Sequence, residues 1–162
     1  MKRSIAELQP DEVVALAIRV EAANARRFRA FADSFAGIDD AVAQRFLELE
    51  AEEHQHEHLL RLRFAQWFRG PLPELDETDV RDVVESLDLG GGEHLLFQSL
   101  RPKQVFALAL AAEQHARQFY LAAAAAAGAP ALREVFTTLA GVETEHARWL
   151  EQRLAQLGPE AP

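Results

Sequence analysis

The sequence predicts an all-α four-helix bundle made of two antiparallel hairpins joined by one long crossover. Three observations predict it. Apolar residues recur at helical spacing through four long segments, residues 10–36, 39–68, 102–127 and 130–157. The joints Gly37-Ile38 and Gly128-Ala129 are short, so the first pair and the last pair each fold back as a hairpin. About 33 residues, 69–101, separate the second segment from the third. That is long enough to return along the bundle and make those two helices parallel.

Each segment carries its own start and stop signals. The first opens at Pro10-Asp11-Glu12, a proline in the first turn followed by acids that suit the helix dipole, and stops near Gly37. The second starts at Asp39 or Asp40, both good caps, and runs to about Phe68 before Gly70-Pro71. The third opens at Pro102 and ends at Gly128. The fourth opens near Pro130 and ends at Gly158-Pro159. At 1.5 Å per residue each helix is roughly 40 Å long. Within the crossover, Asp76 to Leu87 is expected to form a short helix, and Gly90-Gly91-Gly92 a flexible joint.

Composition bounds the rest. The 162 residues suit one domain with a real core, and 49% apolar content fits a globular chain. A net charge of −9 argues against nucleic acid and against anionic lipid as partners. With no cysteine, disulfides, thiolate metal sites and a cysteine nucleophile are excluded. Met1-Lys2-Arg3 leads into Ser4-Ile5-Ala6-Glu7-Leu8 without an apolar leader, and no apolar run approaches ~20 residues. A cytoplasmic protein without a membrane span is expected.

The chemistry lies in two short words. Glu53-His54-Gln55-His56 and Glu143-Thr144-Glu145-His146 each place a Glu-x-x-His inside an apolar stripe. A spacing of three puts carboxylate and imidazole on one helix face. Upstream of each word a lone glutamate, Glu21 or Glu113, lies within another apolar stripe. One Glu from each of two helices and a Glu-x-x-His from each of the others is a known ligand set of di-iron and di-manganese four-helix bundles. Four carboxylates converging in a core would be intolerable alone, because desolvating each ion costs several kcal/mol. Two divalent cations bring four positive charges against them, and a carboxylate–imidazole set suits Fe(II) or Mn(II). A single such word is ordinarily an exposed helix pair. Two in matching halves, each preceded by a core glutamate, reverse that reading. The candidate metal ligands are Glu21, Glu53, His56, Glu113, Glu143 and His146. Tyr120, two turns beyond Glu113, is the candidate catalytic residue: it can donate to a ligand carboxylate or carry an electron. Asn24 is a candidate polar neighbour. His54 and His58, with Glu50 or Glu57, form a weaker metal candidate on another face.

The chain also repeats itself. Ala15-Leu16-Ala17-Ile18-Arg19-Val20-Glu21 is followed seven residues later by Phe28, and Ala107-Leu108-Ala109-Leu110-Ala111-Ala112-Glu113 by Tyr120. Glu53 follows Glu21 by 32 residues and Glu143 follows Glu113 by 30. Equal halves predict a pseudo-twofold axis through the site.

With these residues in view, residues 10 to 157 resemble the ferritin-like superfamily on its rubrerythrin and bacterioferritin side. The resemblance rests on Glu21, Glu53-x-x-His56, Glu113 with Phe119-Tyr120, and Glu143-x-x-His146. It implies Glu53 and Glu143 as bridging ligands, Glu21 and Glu113 as terminal ligands, and the two histidines as caps. It further implies a redox protein that oxidises Fe(II) with dioxygen or reduces peroxide at two Fe ions, with Mn possible. Rubrerythrins typically carry a further Glu one turn after the third-helix ligand, where this chain has Ala116. The only methionine is Met1, so a bacterioferritin-type haem is not expected. The alternatives are a di-iron hydroxylase of a small substrate and a non-catalytic iron-binding or storage module. A homodimer is expected, with Leu95-Leu96-Phe97 as an apolar patch that must be covered.

Overall fold

The computed structural model describes residues 3–75 and 100–158. A 3-10 turn, Ile5–Glu7, precedes α1 (Pro10–Phe35), α2 (Asp40–Trp67), α3 (Pro102–Ala126) and α4 (Pro130–Gln156). Each helix ends within a residue of the sequence expectation, because the stops are chemical. Pro10, Pro102 and Pro130 open helices where a missing N–H costs nothing. The Asp39 carboxylate accepts from the Val42 backbone N–H at 3.1 Å and caps α2. Gly37, at φ +76°, makes the left-handed turn between α1 and α2. The expected helix at Asp76–Leu87, the glycines 90–92, His94 and the Leu95–Phe97 patch lie outside the described residues.

The four helices pack as two hairpins, α1 with α2 and α3 with α4. Two apolar clusters fill the two ends of the bundle. One joins the start of α1 (Val14, Leu16, Ala17), the end of α2 (Leu60, Phe64), the end of α3 (Phe119, Ala123) and the start of α4 (Leu132, Phe136). The other joins the end of α1 (Phe28, Phe31, Phe35), the start of α2 (Phe46, Leu49), the start of α3 (Phe106, Ala109) and Leu150 of α4. Helices α2 and α3 are therefore parallel. Trp67 closes α2 at one end of the bundle and Pro102 opens α3 at the other, which is the ferritin-like order. Leu75, beyond α2, is buried, and its carbonyl accepts from Arg19 Nη1 at 2.8 Å on α1.

Phe46 is fully buried and its ring meets Phe28, Phe31, Phe35, Phe106 and Trp149 at centroid distances of 5.5–6.0 Å. Such edge and offset contacts stiffen one end of the bundle. Leu157 is 41% exposed, because it lies past the last full turn of α4. Among the described residues no helix is long and apolar enough to cross a membrane.

Candidate metal centre

Between the two apolar clusters the core turns polar. Glu21 on α1, Glu53 on α2, Glu113 on α3 and Glu143 on α4 are each fully buried, and His146 is 2% exposed. His56, on α2 one turn after Glu53, has its side chain 17% exposed. Apolar periodicity on all four helices delivers them there, since each glutamate occupies a core position of its own stripe.

Two sets of four ligand atoms result. Glu21, Glu53, His56 and Glu143 each place one atom within 4.8 Å of the others, and so do Glu53, Glu113, Glu143 and His146. Glu53 and Glu143 belong to both sets. The imidazoles face one another at 6.4 Å between ring centroids. Among the described residues no other group of three or more such side chains converges this way. His54 instead lies exposed between Glu50 and Glu57 at 3.8 and 3.5 Å, an ordinary solvated face.

The hydrogen-bond inventory shows what this core requires. Both oxygens of Glu53, Glu113 and Glu143, one oxygen of Glu21, and Nδ1 of both His56 and His146 are buried without a hydrogen-bond partner. Orphaned acceptors in this number are foreign to a finished core. Electrostatics gives the same message. Burial raises Glu53 and Glu143 well above the usual carboxylate range, and the neighbouring carboxylates add to the effect. Glu113 is pushed up to about 7, by burial first and then by Glu21 and Glu52, against the lowering influence of Glu143 and Arg27. Protons can neutralise this site, but all six donors point inward with oxygen and imidazole chemistry that fits two divalent cations.

The surrounding residues were less visible in the sequence. Nε2 of His146 meets Glu52 Oε2 at 2.8 Å, and Arg45 Nη1 donates to Glu52 Oε1 at 3.1 Å. With Glu52 as acceptor, the proton sits on Nε2 and the Nδ1 lone pair faces Glu53, Glu113 and Glu143 at 3.3, 3.4 and 3.8 Å. Burial opposes ionisation of Glu52, but His146 and Arg45 outweigh it and hold this carboxyl below its ordinary value. Arg27, 6% exposed, donates to Asn24 Oδ1 at 3.0 Å and sets a positive charge near Glu113. The Tyr120 hydroxyl donates to Glu21 Oε1. Burial, then the Glu21 charge, raises Tyr120 well above its ordinary value, so it stays a donor. His56 is raised too: burial works against its charged form, but the Glu21 contact at 3.3 Å and the charge of Glu143 prevail.

Comparison with known proteins agrees with this geometry. The Rubrerythrin family model matches residues 104–162, the α3–α4 half with Glu113, Tyr120, Glu143 and His146. The fold is ferritin-like, and the second hairpin is similar to the Rubrerythrin family model. The crystal structure of an uncharacterized conserved protein from Magnetospirillum magnetotacticum MS-1 superposes with a TM-score of 0.74 at 23% identity, covering 96% of this chain and 99% of that one. At that identity the likeness speaks for the fold. No curated protein matches the chain. The rubrerythrin-like half and its repeat in α1–α2 supply equal shares of the carboxylate–histidine cluster.

Proposed function

We propose that the cluster is a two-metal redox centre, with iron as the metal and manganese as the competitor, that oxidises Fe(II) with dioxygen or reduces peroxide. The observation that carries the proposal is the sharing of Glu53 and Glu143 between two four-atom ligand sets. In this reading Glu53 and Glu143 would be shared by the two ions, Glu21 and Glu113 would each hold one of them, and Nδ1 of His56 and His146 would complete the set. Two adjacent iron ions would supply the electron pair that reduction of an O–O bond needs.

The chain's own residues set the conditions for that chemistry. Glu52 fixes the His146 tautomer and ring plane. Tyr120 holds Glu21 in one orientation and is an oxidisable side chain hydrogen-bonded to a candidate ligand. The two apolar clusters exclude water from both ends, so the carboxylates act in a low-dielectric space. A second reading, hydroxylation of a small organic molecule, is favoured by a cavity that reaches His56.

The test is an anaerobic Fe(II) titration, followed by air or peroxide with near-ultraviolet absorbance recorded. Saturation at two ions per chain and a ferric absorbance after oxidant are expected. Faster reaction with peroxide than with air favours peroxide reduction, and the reverse favours Fe(II) oxidation. Absence of saturable uptake in folded protein overturns the proposal.

A further inference from the structure

The groove between α2 and α4 has two halves related by the internal repeat, and they differ. Adding 90 to a residue number on α2 gives its counterpart on α4: Glu53 and Glu143, His56 and His146, Phe46 and Phe136, Leu60 and Leu150. On the His146 side the groove is filled. Arg45 lies over the Trp149 ring at 5.6 Å and donates to Glu52, which bonds His146. The counterparts of Trp149, Arg45 and Glu52 on the other side are Leu59, Val135 and Val142. An indole, a guanidinium and a carboxylate are replaced by three small aliphatic chains. A cavity of about 500 Å³ stands in their place, with His56 in its wall and Leu59, 39% exposed, at its surface. That volume is in the range of sites for small organic ligands.

The walls also state the ligand's chemistry. Arg63 lies on the same α2 face, two turns from His56, so about 10 Å along the helix. Its Nη1 donates to Gln66, its guanidinium sits 5.8 Å from the Trp67 ring, and its side chain lines the cavity. A cation braced on an aromatic ring, in a wall that Leu59, Val135, Leu139 and Val142 make largely aliphatic, is an anion receptor at one end of the slot.

We propose that this open half-groove binds a small aliphatic carboxylate, its head on Arg63 and its chain running past Leu59 and Val135 to His56. The inference deepens the second reading above, because it names the class of organic molecule that could be brought to the metal edge. Binding itself needs no metal.

The probe is octanoate, titrated by calorimetry into the metal-free full-length protein, with octanol and octylamine alongside. Saturable one-to-one binding of octanoate, at least about tenfold tighter than octanol, is expected from a charge-assisted bond. Arg63→Gln should bring octanoate down to the octanol level. Leu59→Trp, which copies the filled half, should abolish binding of both while circular dichroism stays unchanged. In a Trp149→Phe background, octanoate should shift the emission of Trp67. No saturable octanoate binding by folded wild-type protein, or tighter binding of octylamine through Glu134 in the same wall, overturns the proposal. Fe(II) titration of the same samples separates the two readings. Two-ion uptake without octanoate binding leaves the metal centre and removes the pocket, and octanoate binding without metal uptake does the opposite.

Discussion

The two histidines of this site sit in opposite surroundings. His146 is 3% exposed in its side chain, and its outer nitrogen is bonded to Glu52, which Arg45 holds in turn. His56 is 17% exposed, and its outer nitrogen has no hydrogen-bond partner among the described residues. The repeat makes the comparison a controlled one, because both rings follow a buried glutamate by three residues on equivalent helices. A locked ring keeps its lone pair aimed inward in every thermal state, whereas a ring without an anchor can turn. In the proposed reading, one flank would retain an ion and the other would admit a molecule.

The comparison can be broken first at the residues that ignore it. Glu53→Ala removes a carboxylate common to both ligand sets, so anaerobic Fe(II) titration should show loss of both saturable equivalents. Retention of one tight equivalent would mean the two positions are independent. His56→Ala and His146→Ala should each remove only one.

The anchor itself comes next. Glu52→Ala should weaken one of the two equivalents by about 10–100-fold, the usual cost of losing such a supporting carboxylate. Both histidines would then lack an anchor, so the two affinities should converge at the weaker value. Val142→Glu places the same anchor beside His56 and should draw the two affinities together; an unchanged isotherm would show that anchoring does not set them.

A smaller effect is expected one layer away. Tyr120→Phe removes a charge-assisted donor from Glu21 and should cost roughly 1–3 kcal/mol in chemical denaturation of the metal-free protein. The counterpart of Tyr120 in the repeat is Phe28, which has no hydroxyl to lose.

The mildest test is pH. Glu113 is raised to about 7 in the folded state, and Glu53, Glu143 and His56 are raised as well. A raised pKa means that the folded state holds its proton longer than the unfolded chain does. The stability that Glu113 contributes is therefore full below about pH 4.5 and is lost as pH rises through about 7, and Glu53, Glu143 and His56 act in the same direction. Glu52 is lowered, so its contribution fades only below the ordinary carboxylate range, outside this window. The metal-free protein should melt at a lower temperature at pH 7.5 than at pH 5.5. Added Mn(II) should reverse the order, because the cations replace the protons.

The division between what sequence reveals and what it hides follows the same line. Helix ends were legible because proline, glycine and aspartate act locally. The convergence of Glu21, Glu53, His56, Glu113, Glu143 and His146 was legible because each interrupts an apolar stripe, and an interruption in a core position must be compensated. Glu52 was not, since it lies off the stripe and looks like any solvated charge; its role depends on how closely α2 approaches α4. Arg27 was hidden beside Phe28 for a related reason, as burial of a charge on the flank of a stripe needs the neighbouring helix to be known. The open half-groove was hidden most completely. Leu59, Val135 and Val142 are ordinary apolar residues, and their meaning appears only when each is set against its counterpart across the repeat.

The sharing of Glu53 and Glu143 has one more consequence, for the order in which ions arrive and leave. In the proposed centre a first ion would gather two carboxylates that the second would also need, and each would carry charge that one cation leaves only partly balanced. The second ion then meets a half-assembled cage and pays less to complete it. Loading should be positively cooperative, with chains carrying a single ion scarcer than two independent sites of the same strengths would give. A chelator would then empty the protein in pairs, so a cell short of the metal would hold a mixture of fully charged and wholly bare chains.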